Sequence, residues 1–369
     1  MKTNVIIAIL IVLGIFGHVQ AFRERPATAI CGTDFPIFYA GAKLLGTGDL
    51  YSPAAVQRIQ RREIGCTASV AAFIRLPYFA ALVWPLTLLP LGLAFAVWRL
   101  ALLAAEIGFV ASFRRHWKWA LLACVWSFPL AWDFDNGQDD SFLLLAIAAG
   151  TILAARGRPF TAGLCFSLCA AKFHLVMFLP LVLVARGRRA VEGLAAGGAV
   201  LLGISFAVGG WNWPGRYLAE LLHHNIDPAP LELHNIRGLV HGSLAGEIAL
   251  GLTVVAAVWM VCRRAPFEIS LSAALAGSLL VSHHLTASDW AMLLPAGLTL
   301  GIQAPACYIR VGAVLLITPL VTYLWGIPAL MRLPDLALLG LVYALAYEVL
   351  KAPNVGNPIL TSAPFGRIV

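Results

Sequence analysis

Apolar stretches separated by short polar segments repeat along most of the chain. A helix crosses a bilayer with about 20 apolar residues, so each long stretch is a candidate transmembrane helix. We predict that the first one, residues 4–21, stays in the mature protein as a membrane helix, because many apolar stretches follow it. Further crossings are predicted over residues 91–113, 120–132, 141–155, 193–208, 247–261, 270–282, 289–300, 311–324 and 336–350.

Two apolar stretches do not fit a simple crossing. Residues 76–89 form a short stretch that Pro77 and Pro85 interrupt, which indicates a re-entrant or interfacial element. Residues 160–185 have arginine clusters at both ends and Lys172 in the middle, which predicts a hairpin of two short helices that turns near Lys172. The sequence thus predicts an all-α, polytopic membrane protein with about twelve transmembrane helices in a single domain over residues 1–369.

The composition agrees with the membrane assignment. Hydrophobic residues make up 60% of the chain and charged residues 12%, whereas soluble domains contain about 25% charged residues. Water-soluble enzymes, nucleic-acid binders and secreted disulfide scaffolds are therefore excluded. We attribute the net charge of +8 to lysines and arginines in cytoplasmic loops, so no nucleic-acid partner is expected.

The basic clusters predict the topology, because lysine and arginine favour the cytoplasmic side. Placing the clusters near residues 114–118, 156–158, 186–189 and 263–264 inside leaves two large outer loops, residues 22–69 and 209–246. In the first loop, Phe35, Phe38, Tyr39, Ala42 and Leu45 recur at helical spacing, which predicts an amphipathic helix at the membrane surface.

The outer side also collects the polar residues, including six of the nine histidines: Asp34, Asp133, Asp135, Asn136, Gln138, Asp139, Asp140, His223, His224, Asn225, His234, Asn235, Arg237, His241, His283 and His284. Polar groups near the hydrocarbon line cavities or reaction sites, so we expect the function to reside at this face. The chain has no convincing internal repeat, which weighs against a transporter.

The cysteines and histidines do not predict a metal centre. The chain contains no CxxC pair, and the adjacent His223 and His224 would point apart on a helix. Cys31 and Cys66 lie in the same outer loop, where an oxidising compartment permits a disulfide. Their distance cannot be judged from the sequence, so a disulfide and two free thiols both remain open.

Several short motifs occur in an order that resembles one known family. The motifs are Thr33-Asp34-Phe35 to Gly48-Asp49-Leu50-Tyr51, Arg75-Leu76-Pro77-Tyr78 to Trp84-Pro85, Asn136-Gly137-Gln138-Asp139-Asp140, Arg156-Gly157-Arg158 to Lys172, and Ser282-His283-His284 to Asp289. The chain resembles glycosyltransferase family 87, the polyprenyl-phosphate-mannose-dependent mannosyltransferases with the GT-C fold. It departs from the family pattern at Leu76-Pro77-Tyr78 and Ser282-His283, which leaves the sugar and the acceptor open.

The resemblance implies an inverting transfer of a sugar, mannose by family inference, from a polyprenyl-phosphate donor to a lipid or glycan acceptor. The reaction would occur at the outer face of a bacterial cytoplasmic membrane, among membrane lipids. No cofactor or metal is expected, because a lipid phosphate leaves with less charge than a nucleotide diphosphate. The alternatives are a polymerase or ligase of lipid-linked glycans, and a non-enzymatic carrier or flippase of a lipid-linked sugar.

The resemblance also suggests roles for individual residues. Asp34 is the candidate catalytic base, with an N-cap of the following helix as the alternative. Lys172, His284 and Arg237 are candidates for binding the donor phosphate, although Lys172 could instead snorkel to the interface and His284 could cap a helix. The candidates for lining the cavity or binding the acceptor are Tyr39, Gln138, Asp139, Asp140, Asn235 and His283. Asp139 and Asp140 could alternatively solvate a turn.

Overall fold

The computed structural model describes residues 2–23, 27–66, 72–223 and 233–351, and these residues contain α-helices and no β-strand. The helices are α1 (Lys2–Arg23), α2 (Phe35–Lys43), α3 (Pro53–Arg58), α4 (Pro77–Val83), α5 (Leu91–Ser112), α6 (Trp117–Val125), α7 (Phe128–Asn136), α8 (Asp140–Ala155), α9 (Pro159–Ser167), α10 (Leu179–Arg186), α11 (Arg188–Gly209), α12 (Trp213–His223), α13 (Ile236–Leu239), α14 (Leu244–Arg264), α15 (Phe267–Val281), α16 (Leu293–Gln303), α17 (Cys307–Leu315), α18 (Leu320–Trp325) and α19 (Leu333–Lys351). Shorter 3₁₀ segments cover Trp84–Leu88, Leu168–Val176 and Ser288–Met292. The all-α prediction is confirmed for the described residues.

Five helical segments in the described residues are long and apolar enough to cross a membrane, and a sixth span is formed if α7 and α8 are counted as one bent pair. The five are Leu91–Ser112, Pro159–Val176, Arg188–Gly209, Leu244–Arg264 and Leu333–Lys351. The chain is thus a helical protein with several candidate membrane spans, whereas the predicted number of about twelve is not confirmed.

Two predicted crossings, residues 120–132 and 311–324, are each divided into two short helices. The stretch 120–132 breaks between α6 and α7, where the Ser127 hydroxyl accepts a hydrogen bond from the backbone of Leu130 (3.3 Å) and caps α7. The stretch 311–324 breaks between α17 and α18, and Pro319 caps the second helix. Counting apolar residues does not reveal these breaks, because a single serine or proline hardly changes the number of apolar residues in a stretch.

Helix α2 forms where the hydrophobic spacing predicts a helix, and its position at the membrane surface stays a prediction. Its residues 35–42 are all buried. The ring of Phe35 packs 5.2 Å from that of Phe95 and 5.8 Å from that of Trp98, both on α5. The helix therefore belongs to the protein core, and Asp34 stands at its buried N-terminal end.

The segment that the sequence predicts to be the first outer loop contains a disulfide between Cys31 and Cys66. This bond links residues 35 positions apart and encloses both α2 and α3. The disulfide that the sequence left open is therefore present, and it fixes the chain three residues before Asp34. In the predicted second outer loop, residues 209–246, the structure describes α12 and α13, while His224 and Asn225 lie outside the described residues.

Contacts between loops indicate which clusters share an end of the bundle. Arg186, at the end of α10, donates to the Ser270 hydroxyl (2.9 Å) and so joins the turn between α14 and α15. The Lys118 ammonium donates to the Asn4 side chain (3.3 Å). The cluster at residues 186–189 thus lies at the same end of the bundle as that at 263–264, and the cluster at 114–118 contacts the start of α1.

Candidate functional site

A group of charged and amide side chains, most of them buried and here called the polar cluster, brings together five separated segments. It consists of Asp34, Arg75, Gln138, Asp139, Asp140, Lys172 and Asp289, joined by the contacts below. The segments are the start of α2, the chain two residues before α4, the turn between α7 and α8 with the start of α8, and the 3₁₀ segments Leu168–Val176 and Ser288–Met292. Four carboxylates and two cations give the cluster a formal charge of −2 when all are ionised.

The turn between α7 and α8 holds the centre of the cluster. Gly137 ends α7 in the left-handed conformation (φ 65°), which favours glycine. A Cβ at this position would lie 2.7 Å from the Phe95 ring and 3.1 Å from the Phe35 Cβ, so only glycine fits. The Trp98 indole donates to the Gly137 carbonyl (2.9 Å). This close packing fixes Gln138 and the two aspartates that follow it.

Asp34 occupies the N-cap position of α2, but its side chain makes no capping hydrogen bond. Instead, its carboxylate accepts a hydrogen bond from the Gln138 amide, and its backbone N–H donates to the Asn136 carbonyl (3.0 Å). Burial raises the pKa of the Asp34 carboxyl, against the opposing influence of the Gln138 hydrogen bond and of the Lys172 and Arg75 charges. The N-cap alternative therefore does not account for this carboxylate.

Arg75 connects Gln138 to Asp139. Its guanidinium donates to the Gln138 side-chain oxygen (3.2 Å) and to Asp139 Oδ1 (2.8 Å). It lies over the rings of Phe38 and Phe79 at 5.4 and 5.8 Å and is 7% exposed. The Tyr51 hydroxyl donates to the Arg75 carbonyl (2.9 Å) and fixes its backbone. Arg75 thereby orients the glutamine that holds Asp34.

Lys172 lies where the helical conformation breaks (φ −130°, ψ 61°), as the predicted turn near this residue requires. Its ammonium donates to Asp140 Oδ1 and Asp289 Oδ1, both at 2.8 Å, and lies 3.8 Å from Asp139. Because it is 3% exposed, it does not snorkel to the interface. Its charge is already shared among three carboxylates in the described structure.

Asp133 supports the cluster from the preceding helix. Its carboxylate accepts backbone hydrogen bonds from Asp140 (2.9 Å) and Ser141 (3.1 Å), which are free N–H groups at the start of α8. The Ser141 hydroxyl oxygen lies 2.6 Å from Asp133 and 3.0 Å from Glu106. One hydroxyl has a single hydrogen, so one of the two acids must supply its own proton. Asp133 already accepts two N–H groups, which makes Glu106 the protonated partner.

The remaining predicted residues lie outside these contacts. Tyr39 donates to the Leu89 carbonyl (2.8 Å) and is buried. Asn235 is fully buried, caps α13 through Gly238 (3.0 Å) and donates to the Ser282 carbonyl (2.7 Å). Both side chains thus hold the fold together through their described contacts.

Arg237 and His283 form a second polar group. Arg237 Nη1 lies 3.1 Å from His283 Nδ1. Both residues line a cavity of about 330 Å³ whose other walls include Ile248, Leu252 and Val255. The ring of His284, the next residue, lies 6.0 Å from that of His174. The described contacts of Arg237 and Lys172 are thus made with different side chains, although the sequence analysis assigned both residues to the donor phosphate.

Arg75, Asp289 and Asp133 were not among the predicted site residues. Arg75 and Asp289 lie within the motifs. Arg75 stands between the apolar residues Ile74 and Leu76, a pattern from which a buried and therefore paired arginine could have been predicted. Among the described residues, no group of three or more His, Cys, Asp or Glu side chains has the arrangement of a metal site.

Comparison with known proteins identifies the family of the chain. The sequence profile of glycosyltransferase family 87 matches residues 73–288, more than half of the chain. The matched segment contains Arg75, Gln138, Asp139 and Lys172 of the polar cluster, while Asp34 precedes it. Neither a search of curated proteins nor a search of solved structures found a match.

Proposed function

We propose a reaction and a catalytic base for this chain, which belongs to glycosyltransferase family 87 and is therefore a glycosyltransferase. In this proposal it transfers mannose from a polyprenyl-phosphate donor to a lipid or glycan acceptor, with inversion at the transferred carbon. The reaction takes place at the outer face of a bacterial cytoplasmic membrane. Family membership favours an enzyme over the carrier or flippase alternative.

The observation that carries the proposal is the state of the Asp34 carboxylate. Asp34 is half-buried at a helix N-terminus, yet its carboxylate is bound by the Gln138 amide and not by the helix backbone. A general base needs a fixed carboxylate that a substrate hydroxyl can approach. Its raised pKa makes it a better proton acceptor than an exposed aspartate. These features support Asp34 as the base.

The proposed reaction needs one proton acceptor and one stabilised leaving group. Asp34 accepts the proton of the acceptor hydroxyl as its oxygen bonds to the anomeric carbon of the sugar. The bond between that carbon and the phosphate oxygen breaks on the opposite side, and the phosphate takes the electron pair. Cations or hydrogen-bond donors near that oxygen lower the barrier.

We assign the phosphate to Arg237 and His283 in preference to Lys172. A phosphate beside the polar cluster would face a formal charge of −2, and Lys172 is engaged by three aspartates. The cavity at Arg237 combines two nitrogen-bearing side chains with an aliphatic wall, which suits a phosphate attached to an isoprenoid chain. His284 remains a candidate hydrogen-bond donor to the phosphate.

The Cys31–Cys66 disulfide supports the proposed orientation. Disulfides form in oxidising compartments such as the periplasm, and this one encloses Asp34 within the first loop. The contact between the basic clusters at residues 186–189 and 263–264, and that between the 114–118 cluster and the start of α1, support a cytoplasmic position for these segments.

The test compares wild type with Asp34→Asn in nanodiscs, using radiolabelled polyprenyl-phosphate mannose. Asparagine keeps the shape of the side chain but cannot accept the proton, so transfer and acceptor-free hydrolysis should both disappear. Asp49→Asn is the matched control, because Asp49 is exposed in the same loop and should leave both rates unchanged. Substantial turnover by a correctly folded Asp34→Asn protein would refute the role of Asp34. Donor binding by a wild type that never turns over would favour the carrier alternative.

A further inference from the structure

Unpaired polar atoms concentrate around the polar cluster. Among the described residues, five buried atoms in this region lack a hydrogen-bond partner: Arg75 Nε, the Tyr78 hydroxyl, Asp139 Oδ2, Asp140 Oδ2 and His174 Nε2. Each unpaired buried group costs about 1–3 kcal/mol, and native proteins retain few of them. Several in one place indicate the binding position of a ligand that supplies the missing hydrogen bonds.

Tyr78 places one of these atoms beside the Arg75–Asp139 ion pair. It is the second residue of α4, and its backbone N–H donates to the Ser205 hydroxyl (3.2 Å), which fixes the start of the helix. The side chain is 9% exposed. Burial raises the pKa of the Tyr78 phenol, and the charge of Asp139 raises it further. The group therefore stays a hydroxyl that can both donate and accept.

A row of aromatic rings leads to Arg75, the partner of Asp139. Trp213, on α12, is 5% exposed and packs with its ring 6.2 Å from that of Tyr217. The Tyr217 ring lies 5.5 Å from that of Tyr51, whose hydroxyl holds Arg75. Trp213 Nε1 is also buried without a hydrogen-bond partner in the described residues. Such rings offer an apolar face together with polar edges.

The charge of the polar cluster selects the kind of ligand. Four carboxylates against two cations repel an anion, so a phosphate does not fit the free oxygens of Asp139 and Asp140. Carboxylate oxygens accept hydrogen bonds, and they therefore require a ligand that donates several. A neutral sugar ring has several hydroxyl donors and apolar C–H faces that match the aromatic rings.

We propose that the Tyr78 hydroxyl and Asp139 Oδ2 bind hydroxyl groups of a sugar ring, and that Tyr78 is a specificity-determining residue of the enzyme. The inference rests on the proposed function, which it deepens by assigning a sugar subsite. The sugar belongs either to the donor or to the acceptor, since a sugar of either molecule has the same hydroxyl groups. Replacement of Tyr78 weakens donor binding in the first case and raises the KM for the acceptor in the second.

The experiment measures binding of polyprenyl-phosphate mannose and of the same polyprenyl phosphate without sugar to nanodisc-embedded protein. Tyr78→Phe removes one hydroxyl and should weaken binding of the sugar-bearing lipid by about 2- to 12-fold, the effect of one neutral hydrogen bond. Binding of the sugar-free lipid should not change. Tyr308→Phe is the matched control, because the Tyr308 hydroxyl contacts Glu348 at an exposed position.

If the subsite holds the acceptor sugar, Tyr78→Phe should raise KM for a membrane glycolipid acceptor by the same factor, while the affinity for the donor equals that of wild type. Monodeoxy donors provide a second measurement that needs no folded variant. If the sugar is the donor's, at least one of them should bind wild type more weakly than the parent donor.

The inference is overturned if Tyr78→Phe equals wild type in donor affinity, hydrolysis and acceptor KM. It is also overturned if the variant does not fold and wild type binds every monodeoxy donor as well as the parent donor and uses every monodeoxy glycolipid acceptor with the KM of the parent acceptor. Failure of the proposed function is a separate result. Wild type would then prefer the sugar-bearing lipid but release no polyprenyl phosphate.

Discussion

Replacement of Lys172 by methionine tests the central ion-pair arrangement. Methionine has a similar length and is apolar, so the change removes a charge with little loss of volume. In the native structure the ammonium contacts Asp140 and Asp289 at 2.8 Å each and is 3% exposed. Without it, Arg75 would be the remaining cation in the polar cluster, and the formal charge would change from −2 to −3.

We expect the variant to lose about 3–5 kcal/mol of unfolding free energy, the cost of removing one partner of a buried ion pair. This corresponds to roughly two to three and a half powers of ten in the folding equilibrium constant. Most of the loss comes from carboxylates that remain buried without a counter-charge. Lowering the pH should recover part of it, because protonation removes that charge.

The assay is SDS-induced unfolding in mixed micelles, followed by circular dichroism. Lys351→Met is the matched control, because Lys351 forms an exposed pair with Glu348 and should change stability by no more than about 1 kcal/mol. The double variant Lys172→Met with Asp140→Asn restores the formal charge of −2. It should therefore regain a large part of the lost stability.

The reasoning is refuted if Lys172→Met differs from wild type by no more than the exposed control. The same variants also test whether Lys172 binds the donor phosphate. If the double variant regains stability but loses affinity for polyprenyl phosphate without sugar, then Lys172 binds the phosphate after all.

Three further predictions follow from the structure. Glu106→Gln should retain stability and activity, whereas Glu106→Ala should lose about 1–3 kcal/mol, because only glutamine can replace the protonated acid as a hydrogen-bond donor to Ser141; equal unfolding curves for both variants would contradict the assigned proton. Cys31→Ser with Cys66→Ser should lose up to about 4 kcal/mol and most of the transfer rate, which thermal unfolding and radiolabel transfer measure; full activity would show that the disulfide does not position Asp34. Since burial raises the Asp34 pKa and the base must be ionised, donor hydrolysis should decline on acidification before the pH reaches the ordinary aspartate range; a constant rate down to pH 3.8 would contradict this.

The hydrophobic pattern predicted the long helices well and the broken ones poorly. Apolar stretches matched α5, α11, α14 and α19 closely, because each is continuous over about 20 residues. The stretch that contains Ser127 and Pro129 looked equally apolar, but a cap and a proline divide it. Helix α2 was predicted from its spacing, while its burial depends on aromatic partners on α5 that are remote in sequence.

The site was predictable in its residues more than in its contacts. The motifs brought Asp34, Gln138 and Asp139 to one face, and the structure places them together around Arg75. The partners of Lys172 depend on how two 3₁₀ segments meet, which no local pattern encodes. Asn235 was a predicted site residue because it is polar, but its side chain is buried and its amide hydrogen-bonds to two backbone groups.

The negative charge of the polar cluster has a consequence for product release. Under the proposed reaction the donor phosphate carries one negative charge while the sugar is attached, and it becomes a monoester with a second ionisation near pH 6 when the sugar leaves. Each turnover therefore adds negative charge to the lipid at a site whose proposed base, Asp34, belongs to a group with a formal charge of −2. Repulsion from the four carboxylates would weaken the hold on the spent lipid and oppose reversal, so the forward direction of the reaction would be partly determined by residues that never contact the phosphate.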